Sequence, residues 1–393
     1  MIEMQNRLCI LASDFPSEGR PVYVFVEQLV IALADLGMQV SVVAPQNPIK
    51  ALLRKAKLLP KRQTNETPNG NRYKVFRPNQ LSFGNGKEWL YRIAERYNKK
   101  TLNSCVKEIN PEILYGHFWH NANKLKDYAV NNKKPLFVAC GEGDNALEEL
   151  LESLSSQEKE KLVDAVKGVI SVSTENKRKC LDYGLAIDDD IIVLPNAADT
   201  SLFHPMPRND QLRKELNVAH DDFLILFVGG FVHRKGCGIL AKAIDKLADE
   251  HIKVIFVGAP LHGDVDDPVC KGIVYKGTVS HILLSAYYAA ADIFVLPTQK
   301  EGCSNAIVEA LAMGVPVISS IGSFNDDILN EKNSIRVNPL DVGVLAEAIH
   351  RLKNDVELYA SIKEYSIEHS GLHSIVLRAN KIVQFINQQV EKG

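Results

Sequence analysis

Little in the composition points to a membrane-embedded, secreted or nucleic-acid-binding protein. No apolar run approaches the roughly 18 residues that a membrane span needs, and the N-terminus carries no basic-then-apolar signal. The formal net charge is only -2, which gives no bulk attraction to nucleic acid. We therefore expect a cytoplasmic protein with no nucleic-acid partner.

Cysteine pairing is missing as well. The seven cysteines form no C-x-x-C pair and no disulfide framework of the small-domain kind, so we interpret them as reduced thiols. Cys303 stands close to two acidic residues, Glu301 and Glu309, but no motif supplies it with a base. A small residue that fills a tight loop is therefore a better interpretation of Cys303 than a nucleophile.

What the chain does contain is a repeated alternation of strand and helix patterns. Short apolar runs such as Val40–Ala44 and Phe223–Val228 alternate with helical patterns, which predicts parallel sheets covered by helices. The length indicates about two or three domains. The alternation breaks at Pro195–Asp199, so we predict one domain over residues 1–195 and a second over 196–368.

Two glutamates stand eight residues apart at a predicted loop-to-helix junction. Glu301 lies in the loop, and Glu309 lies within the helix predicted over residues 306–313. Ser304 and Asn305 precede that helix as candidate N-cap residues. Free amide N–H groups and a partial positive charge at such a helix start suit a diphosphate. The spacing therefore predicts a diphosphate site with acidic groups nearby that bind hydroxyls on either side of it.

A second anion site is indicated by the glycine turn over residues 229–236. Gly229 and Gly230 follow a predicted strand, and Lys235 precedes a predicted helix. Strand, glycine turn, cation and helix in this order suit a diphosphate. The turn is neither a Walker A sequence nor a G-x-G-x-x-G fingerprint, so a nicotinamide-dependent enzyme is disfavoured.

In the first half of the chain, polar residues follow predicted strands at their carboxyl ends, where ligands bind in open α/β sheets. Gly19 and Arg20 lie in the loop after the first strand, and Gly19 would allow a substrate to approach closely. His117 and His120 follow the strand predicted over residues 112–115. Histidine suits chemistry or hydroxyl binding at such an edge, and a partly buried aromatic loop is the alternative for His120.

Two acidic residues follow the next predicted strand, over residues 135–140. Glu142 and Asp144 are candidate hydroxyl ligands, although ordinary solvation of a loop explains them nearly as well. Metal binding by His117 and His120 is not expected, because no third ligand stands near them in the sequence.

A basic stretch over residues 49–62 contains six Lys or Arg residues and no acidic residue. Its apolar residues follow helical spacing on one face, and these are Ile49, Leu52, Leu53, Ala56 and Leu59. Two interpretations have equal weight. One is a surface helix whose apolar face packs on the domain, and the other is contact with anionic lipid or a phosphorylated acceptor.

The ordered motifs resemble family 4 of the retaining glycosyltransferases over nearly the full chain. Glu301 and Glu309 are similar to its E-x7-E pair, Val228–Gly236 to its V-G-R-x-x-x-x-K-G turn and Leu194–Asp199 to its P-N-G-V-D hinge. The resemblance implies the α/β GT-B architecture, with two facing Rossmann-like domains and a C-terminal helix over 369–393 that crosses back to the first domain. It also implies a nucleotide-sugar donor in the second domain, an acceptor in the first and chemistry in the cleft between them.

The resemblance further implies a role for each motif residue. Glu309 would bind the donor ribose, Lys235 the diphosphate, and Glu301 the sugar hydroxyls. His117 is similar to the family's first-domain histidine near the transferred sugar, so the implied catalytic residues are His117, Glu301 and Lys235. The other donor-binding residues would be Gly229, Gly230 and Arg234 at the turn, Gly277, Thr278 and Val279 at the base, and Gly302, Cys303, Ser304 and Asn305 at the sugar. The acceptor-binding residues would be Gly19, Arg20, His120, Glu142 and Asp144.

The chain departs from the family pattern at several positions. Gly230 stands where the turn usually has arginine, and we predict that Arg234 supplies the missing cation. Ala197 replaces the usual hinge glycine, and the first loop has Gly19 without the usual second glycine.

The leading prediction is a retaining, metal-independent glycosyltransferase of cell-surface polysaccharide biosynthesis, which needs no cofactor beyond its nucleotide-diphosphate sugar. The acceptor would be a glycan or a lipid-linked glycan at the inner face of the membrane, with residues 49–62 as the contact to the anionic surface. The alternatives are a sugar-nucleotide epimerase on the same two-domain plan and a non-catalytic sugar-nucleotide-binding protein. These residues do not name the sugar, the base, the linkage or the acceptor.

Overall fold

Short hydrophobic runs become the strands of two separate sheets. The computed structural model describes residues 7–17, 20, 22–53, 55–82, 88–143, 145–261 and 263–392. The chain divides into two compact units, of which the first contains residues 1–172, 176–194 and 379–393. The second unit contains residues 173–175 and 195–378. The predicted α/β architecture with two parallel sheets is confirmed.

The first unit is built on an eight-stranded sheet. Its strands are β1 (Arg7–Leu11), β2 (Gln39–Val43), β3 (Arg62–Glu66), β4 (Arg72–Phe76), β5 (Ile113–His117), β6 (Leu136–Cys140), β7 (Val166–Ser171) and β8 (Ile191–Val193). Their order in the sheet is β3-β4-β2-β1-β5-β6-β7-β8, and every pair except β3 with β4 is parallel. All residues of β5 and β6 are buried, as in a parallel sheet covered on both faces.

Helices connect these strands and cover the sheet. They are α1 (Val24–Asp35), α2 (Pro48–Leu53), α3 (Glu88–Ile109), α4 (Trp119–Asn132), α5 (Ala146–Ser153), α6 (Ser156–Ala165) and α7 (Thr174–Asp182). Trp119, at the start of α4, is completely buried in one apolar cluster with Val138 of β6 and Leu162 of α6. This packing fixes the start of α4 against the carboxyl ends of the central strands.

The polar hairpin at the sheet edge differs from the prediction. The sequence predicts a loop over residues 65–71, whereas β3 runs to Glu66 and pairs antiparallel with β4. Most of β3 is exposed, so it carries none of the apolar alternation that identifies a half-buried strand. An edge strand with polar and charged side chains also resists pairing with other chains.

The amphipathic helix predicted through residue 59 is wrong in its length. Helix α2 ends at Leu53, and Lys55 adopts a left-handed backbone with φ 51°. The Ala56 amide then donates to the Ala51 carbonyl oxygen at 2.9 Å, which closes the helix end. Leu52 and Leu53 are 80% and 78% exposed, so the predicted packing of the apolar face on the domain is wrong for them.

The second unit is built on a six-stranded, fully parallel sheet of order β11-β10-β9-β12-β13-β14. Its strands are β9 (Phe223–Val228), β10 (Ile252–Val257), β11 (Ile273–Gly277), β12 (Ile293–Leu296), β13 (Val317–Ser320) and β14 (Ser334–Val337). Its helices are α8 (Asp210–Glu215), α9 (Cys237–Leu247), α10 (Leu284–Ala290), α11 (Asn305–Ala312), α12 (Val342–Asn354) and α13 (Val356–His369). The sequence predicts β9 with these same bounds.

The last helix, α14 (Ile375–Glu391), belongs mostly to the first unit. Its Phe385 ring meets the Phe137 ring of β6 edge-on, with centroids 6.2 Å apart. The Gln389 side chain donates to the Asp189 carbonyl oxygen at 2.7 Å. The predicted return of the C-terminal helix to the first domain is thereby confirmed. Among the described residues, no helix combines the length and the apolar character that a membrane span requires.

Gly236→Ala should destabilise the second unit through a steric clash. Gly236 has φ 72°, and a Cβ there would lie 2.4 Å from the Pro297 carbonyl oxygen. Gly263→Ala is the matched control, because Gly263 has φ 98° with open space around it. Left-handed strain alone costs about 1–2 kcal/mol, so Gly263→Ala should lose about that much. Urea denaturation followed by circular dichroism should show a larger loss for Gly236→Ala, and equal losses would contradict the role of the contact.

Candidate functional site

The two motif glutamates lie where the sequence predicts them, at the carboxyl edge of the second sheet. Glu301 is in the loop after β12, and Glu309 is inside α11. Ser304 is the N-cap residue of α11, but its side chain makes no cap hydrogen bond. Gly314, with φ 70°, follows the end of the helix. The Ser304 side chain therefore leaves the first-turn amides of α11 uncapped.

Glu301 is held by cations from the neighbouring loop. Its Oε1 atom pairs with the Lys235 ammonium and accepts a hydrogen bond from the Thr298 hydroxyl at 2.9 Å. The Arg234 guanidinium approaches the same oxygen at 3.8 Å. The side chains of Glu301 and Lys235 are only 11% and 16% exposed. The structure thus brings together three predicted residues and adds Thr298, a buried residue that the sequence analysis missed.

A side chain on residue 230 would have to displace the exposed end of the Leu261 side chain. A Cβ on Gly230 would lie 2.7 Å from Cδ1 of Leu261. Leu261 therefore occupies the space in which an arginine at this position would begin. Arg234 is half exposed and donates to the Lys300 carbonyl oxygen at 3.4 Å, so its guanidinium lies beside the Lys235–Glu301 pair.

Glu309 has a different environment from Glu301. It is 7% exposed, its Oε1 lies 3.0 Å from the His281 ring Nε2, and its Oε2 accepts from the Tyr288 hydroxyl at 3.1 Å. Phe203 packs edge-on against both rings. Neither His281 nor Tyr288 belongs to a motif, so neither was predicted as a site residue. For His281, the one available signal is its position after strand β11.

The predicted base-lining residues lie at the end of β11. Gly277 is the last residue of the strand, and its carbonyl oxygen accepts from the Gly258 amide at 2.8 Å. The Thr278 carbonyl oxygen accepts from the Tyr275 hydroxyl at 2.9 Å. Val279 is half-buried and Thr278 is exposed. This loop follows the strand next to β10, on the same sheet edge as the glycine turn.

The loop from Gly302 to Asn305 is tightly packed. Burial raises the pKa of the Cys303 thiol to about 12, which leaves it protonated and inert at neutral pH. The Cys303 carbonyl oxygen accepts from the Asn196 side chain at 3.0 Å. The Oδ1 atom of Asn305 is buried and has no hydrogen-bond partner among the described residues. Asn305 therefore retains an acceptor for a ligand.

In the first unit the two predicted histidines lie on regular elements. His117 is the last residue of β5 and is buried, and His120 is in the first turn of α4. His117 therefore lies on the strand rather than after it, and the alternative of an aromatic loop for His120 is wrong. Between them Phe118 has φ 76° and ψ 155°, a conformation otherwise confined to glycine. The His117 ring packs against Phe118 at 4.5 Å and Phe25 at 5.5 Å between ring centroids.

Glu142 supports this strained turn. It is 8% exposed, which excludes the alternative of ordinary loop solvation for Glu142. Its Oε1 accepts from the Trp119 amide at 2.7 Å and its Oε2 from the Gly141 amide at 3.0 Å. Burial raises its pKa to about 6 despite these hydrogen bonds. The carboxylate thus satisfies the first amide of α4, directly after Phe118.

The remaining acceptor-side predictions are only partly visible. Gly19 and Asp144 lie outside the described residues. Arg20 is exposed, and its guanidinium pairs with the Asp14 carboxylate at 2.5 Å. Asp14 lies beyond the end of β1, so this pair is at the carboxyl edge of the first sheet.

One group of the described residues has cation ligands close together, namely Asp221, Asp222 and His251, whose ligand atoms lie within 4.8 Å of one another. They precede β9 and β10, at the opposite sheet edge from Glu301 and Lys235. Asp222 already accepts from the Ala219 amide at 2.9 Å. This group therefore has no place in chemistry at the predicted site.

Comparison with known sequences finds similarity to glycosyltransferases. Residues 222–355 match the family model of the glycosyl transferases group 1. TuaC of Bacillus subtilis, a glycosyltransferase named for teichuronic acid biosynthesis, is 26% identical over 359 residues, 88% of each chain. An uncharacterised glycosyltransferase of Methanocaldococcus jannaschii is 25% identical over 312 residues, which is 74% of this chain and 78% of that protein.

Solved structures show the same fold. Sucrose-phosphate synthase from Thermosynechococcus elongatus superposes with a TM-score of 0.75 at 17% identity, covering 99% of this chain and 100% of that one. HepE from Anabaena in complex with UDP-glucose gives 0.73 at 16% identity, covering 98% and 100%. The predicted GT-B fold and the predicted family resemblance are confirmed.

Glu142→Gln should remove a pH dependence of stability. The pKa of Glu142 is raised from 4.5 to about 6 by burial, so the folded state binds this proton more tightly than the unfolded state. Its contribution to stability therefore increases as the pH falls from above 6 to below 4.5. The change corresponds to about 2 kcal/mol at 1.36 kcal/mol per pKa unit.

Urea denaturation of wild type and Glu142→Gln at pH 7 and pH 4.5 measures this difference. The exposed Glu152→Gln variant is the control and should keep the pH dependence of the wild type. If Glu142→Gln and wild type responded equally to pH, the burial of this charge would not govern the stability of the turn.

Proposed function

We propose that this chain is a group 1 glycosyl transferase that moves a sugar from a nucleoside-diphosphate donor to a glycan or lipid-linked acceptor with retention of configuration and without a metal ion. The observation that carries the proposal is the cluster of Lys235, Arg234 and Thr298 around Glu301 at a parallel-sheet edge. The name of TuaC supports a surface polysaccharide, and the UDP-glucose complex of HepE supports a nucleotide-sugar donor.

The donor would lie along the carboxyl edge of the second sheet. Glu309, oriented by His281 and Tyr288, would accept the ribose hydroxyls, and the loop from Gly277 to Val279 would line the base. The turn residues Gly229 and Gly230 allow the diphosphate to approach the backbone closely.

The two residues of the Lys235–Glu301 pair would bind different parts of the donor: Lys235 the diphosphate and Glu301 the sugar. A diphosphate would draw the Lys235 ammonium toward itself, since two phosphates carry more negative charge than one carboxylate. Glu301 would then accept hydrogen bonds from the sugar hydroxyls, together with the loop from Gly302 to Ser304 and the Asn305 oxygen.

The chemistry follows from where charge develops. The bond between the anomeric carbon and the diphosphate oxygen breaks, and its electron pair stays on the diphosphate. The acceptor hydroxyl oxygen bonds to the same carbon on the same face, and its proton passes to the departing diphosphate oxygen. Lys235, Arg234 and the amides at the start of α11 stabilise the departing charge more strongly than the intact donor. That stabilisation takes the place of a metal ion.

On the acceptor side, we assign His117 a hydrogen bond to the transferred sugar, and Arg20, His120, Gly19 and Asp144 contacts with the acceptor. Glu142 has both carboxylate oxygens on backbone amides, so we give it a supporting part in placing His117.

Incubation with a panel of nucleotide sugars and candidate glycan acceptors tests the proposed function. Transfer predicts release of the nucleoside diphosphate, a glycosylated product whose anomeric configuration by NMR equals that of the donor, and a rate unchanged by EDTA. A product of opposite configuration would contradict retention. An altered sugar without transfer would identify an epimerase, and saturable binding without turnover would identify a binding protein.

Variants in the same assay test the site. Lys235→Ala and Glu301→Gln should each lower kcat/KM about 100-fold or more, because each removes a group that acts on the developing charge or the sugar. Arg234→Ala should weaken donor affinity about tenfold. The exposed Lys242→Ala is the control of equal charge change and should behave as wild type. Full activity of both Lys235→Ala and Glu301→Gln would overturn the site assignment.

We also propose that residues 49–62 contact an anionic membrane surface. Leu52, Leu53 and Leu58 are exposed large apolar side chains, and Lys57 and Lys61 beside them are exposed as well. Exposed leucines next to lysines favour insertion of the apolar groups and attraction of the charges to anionic headgroups.

Sedimentation with vesicles of phosphatidylcholine and phosphatidylglycerol tests this contact. Neutralising Lys50, Lys57 and Lys61 should lower binding about 100-fold, at about 1 kcal/mol for each charge near the surface. Neutralising three exposed lysines elsewhere, at positions 133, 214 and 242, should leave binding near wild type. Equal loss in both triple variants would show non-specific charge attraction only.

A further inference from the structure

The helix α4 carries two lysines with different surroundings. Lys126 is buried and pairs with Glu158. Lys124 is exposed, lies one turn beyond His120, and has its ammonium 3.3 Å from the Asn121 Oδ1 atom. Among the described residues, no carboxylate lies within ion-pair distance of Lys124. Within the described part of the chain, the Asn121 amide dipole is therefore a neighbour of this charge, and no counter-ion is.

The polar neighbours of Lys124 are held in one orientation. Asn121 is completely buried, and its Nδ2 donates to the His117 carbonyl oxygen at 2.7 Å and to the Ser13 hydroxyl at 3.1 Å. Since both donors are used, the Oδ1 atom is fixed toward Lys124. The Ser13 hydroxyl also lies 2.6 Å from the His120 ring Nε2. His120 and Lys124 are four residues apart and so share one face of α4.

This set lies at the carboxyl edge of the first sheet. Ser13 follows β1, and α4 follows β5, which is the neighbour of β1 in the sheet. The Lys124 side chain as a whole is exposed, but partial burial of its ammonium beside Asn121 lowers its pKa, and no described acid offsets that shift. An oxyanion beside the ammonium would restore the lost stabilisation.

We propose that Lys124, oriented by Asn121 and flanked by His120, binds an oxyanion, either a phosphate or a carboxylate, carried by the acceptor. The assignment of the anion to the acceptor rests on the proposed function. The anion site at Lys124 does not. It assigns the enzyme to acidic acceptors, such as sugar phosphates or uronic acid residues, in preference to neutral sugars. Lys124 has no part in donor binding.

Isothermal titration of the full chain with inorganic phosphate and with glucuronate tests the subsite. The titrations use the Lys235→Ala background, because Lys235 would bind phosphate in the second unit. Lys124→Gln should weaken the binding of at least one anion about tenfold or more, and Lys124→Arg should retain it. Lys133→Gln, at the other end of α4, is the matched control and should bind as the background does. Glucose should show no dependence on Lys124.

Each outcome has a distinct meaning. Loss with phosphate alone indicates a phosphorylated acceptor, and loss with glucuronate alone indicates a uronic acid. The proposal is overturned if neither anion binds, or if both bind equally well to Lys124→Gln and its background. Circular dichroism of each variant separates loss of binding from loss of folding. No turnover is measured, so a negative result here leaves the test of glycosyl transfer unaffected.

Discussion

The ion pair between Lys235 and Glu301 joins the two loops on which the second unit's site depends. One loop follows β9 and the other follows β12, and these strands are neighbours in the sheet. Thr298 reinforces the connection, because its hydroxyl contacts both the Arg234 carbonyl oxygen at 3.1 Å and Glu301 at 2.9 Å. A pair that is mostly removed from water contributes little net stability, but loss of one partner leaves an uncompensated charge. The pair is therefore better explained by positioning than by stability.

The two motif glutamates, Glu301 and Glu309, have different surroundings. Glu301 faces cations, whereas Glu309 faces a histidine ring and a phenol. Their partners come from different segments, since Lys235 precedes α9 and Tyr288 is on α10. A carboxylate paired with cations can release a cation to a competing anion such as a diphosphate. An acid held by neutral or weakly basic groups suits stable hydrogen bonding to hydroxyls.

The sequence predicts the parts of the fold that depend on burial. Strands such as Phe223–Val228 are continuous apolar runs, and the Glu301 to Gly314 segment carries its own helix start and stop, so both were predicted correctly. Strand β3 was missed because its polar residues pair by backbone alone at an edge. Helix α2 was extended too far because apolar spacing continues past Leu53, where the left-handed Lys55 ends the helix. The partners His281, Tyr288, Asn121 and Lys124 could not be predicted, because only the folded chain brings them to their sites.

The conformation of Phe118 has a consequence for the whole edge of the first sheet. A side chain in this region of backbone space costs about 1–3 kcal/mol, and the charge of Glu142 is buried just beyond the end of the neighbouring strand, β6. Glycine in place of Phe118 would relieve the backbone strain. A neutral residue in place of Glu142 would remove the cost of the buried charge. Stability alone therefore does not account for either residue. What they provide is a single backbone path between His117 and Trp119, so the direction in which His117 leaves β5 is fixed before any ligand arrives.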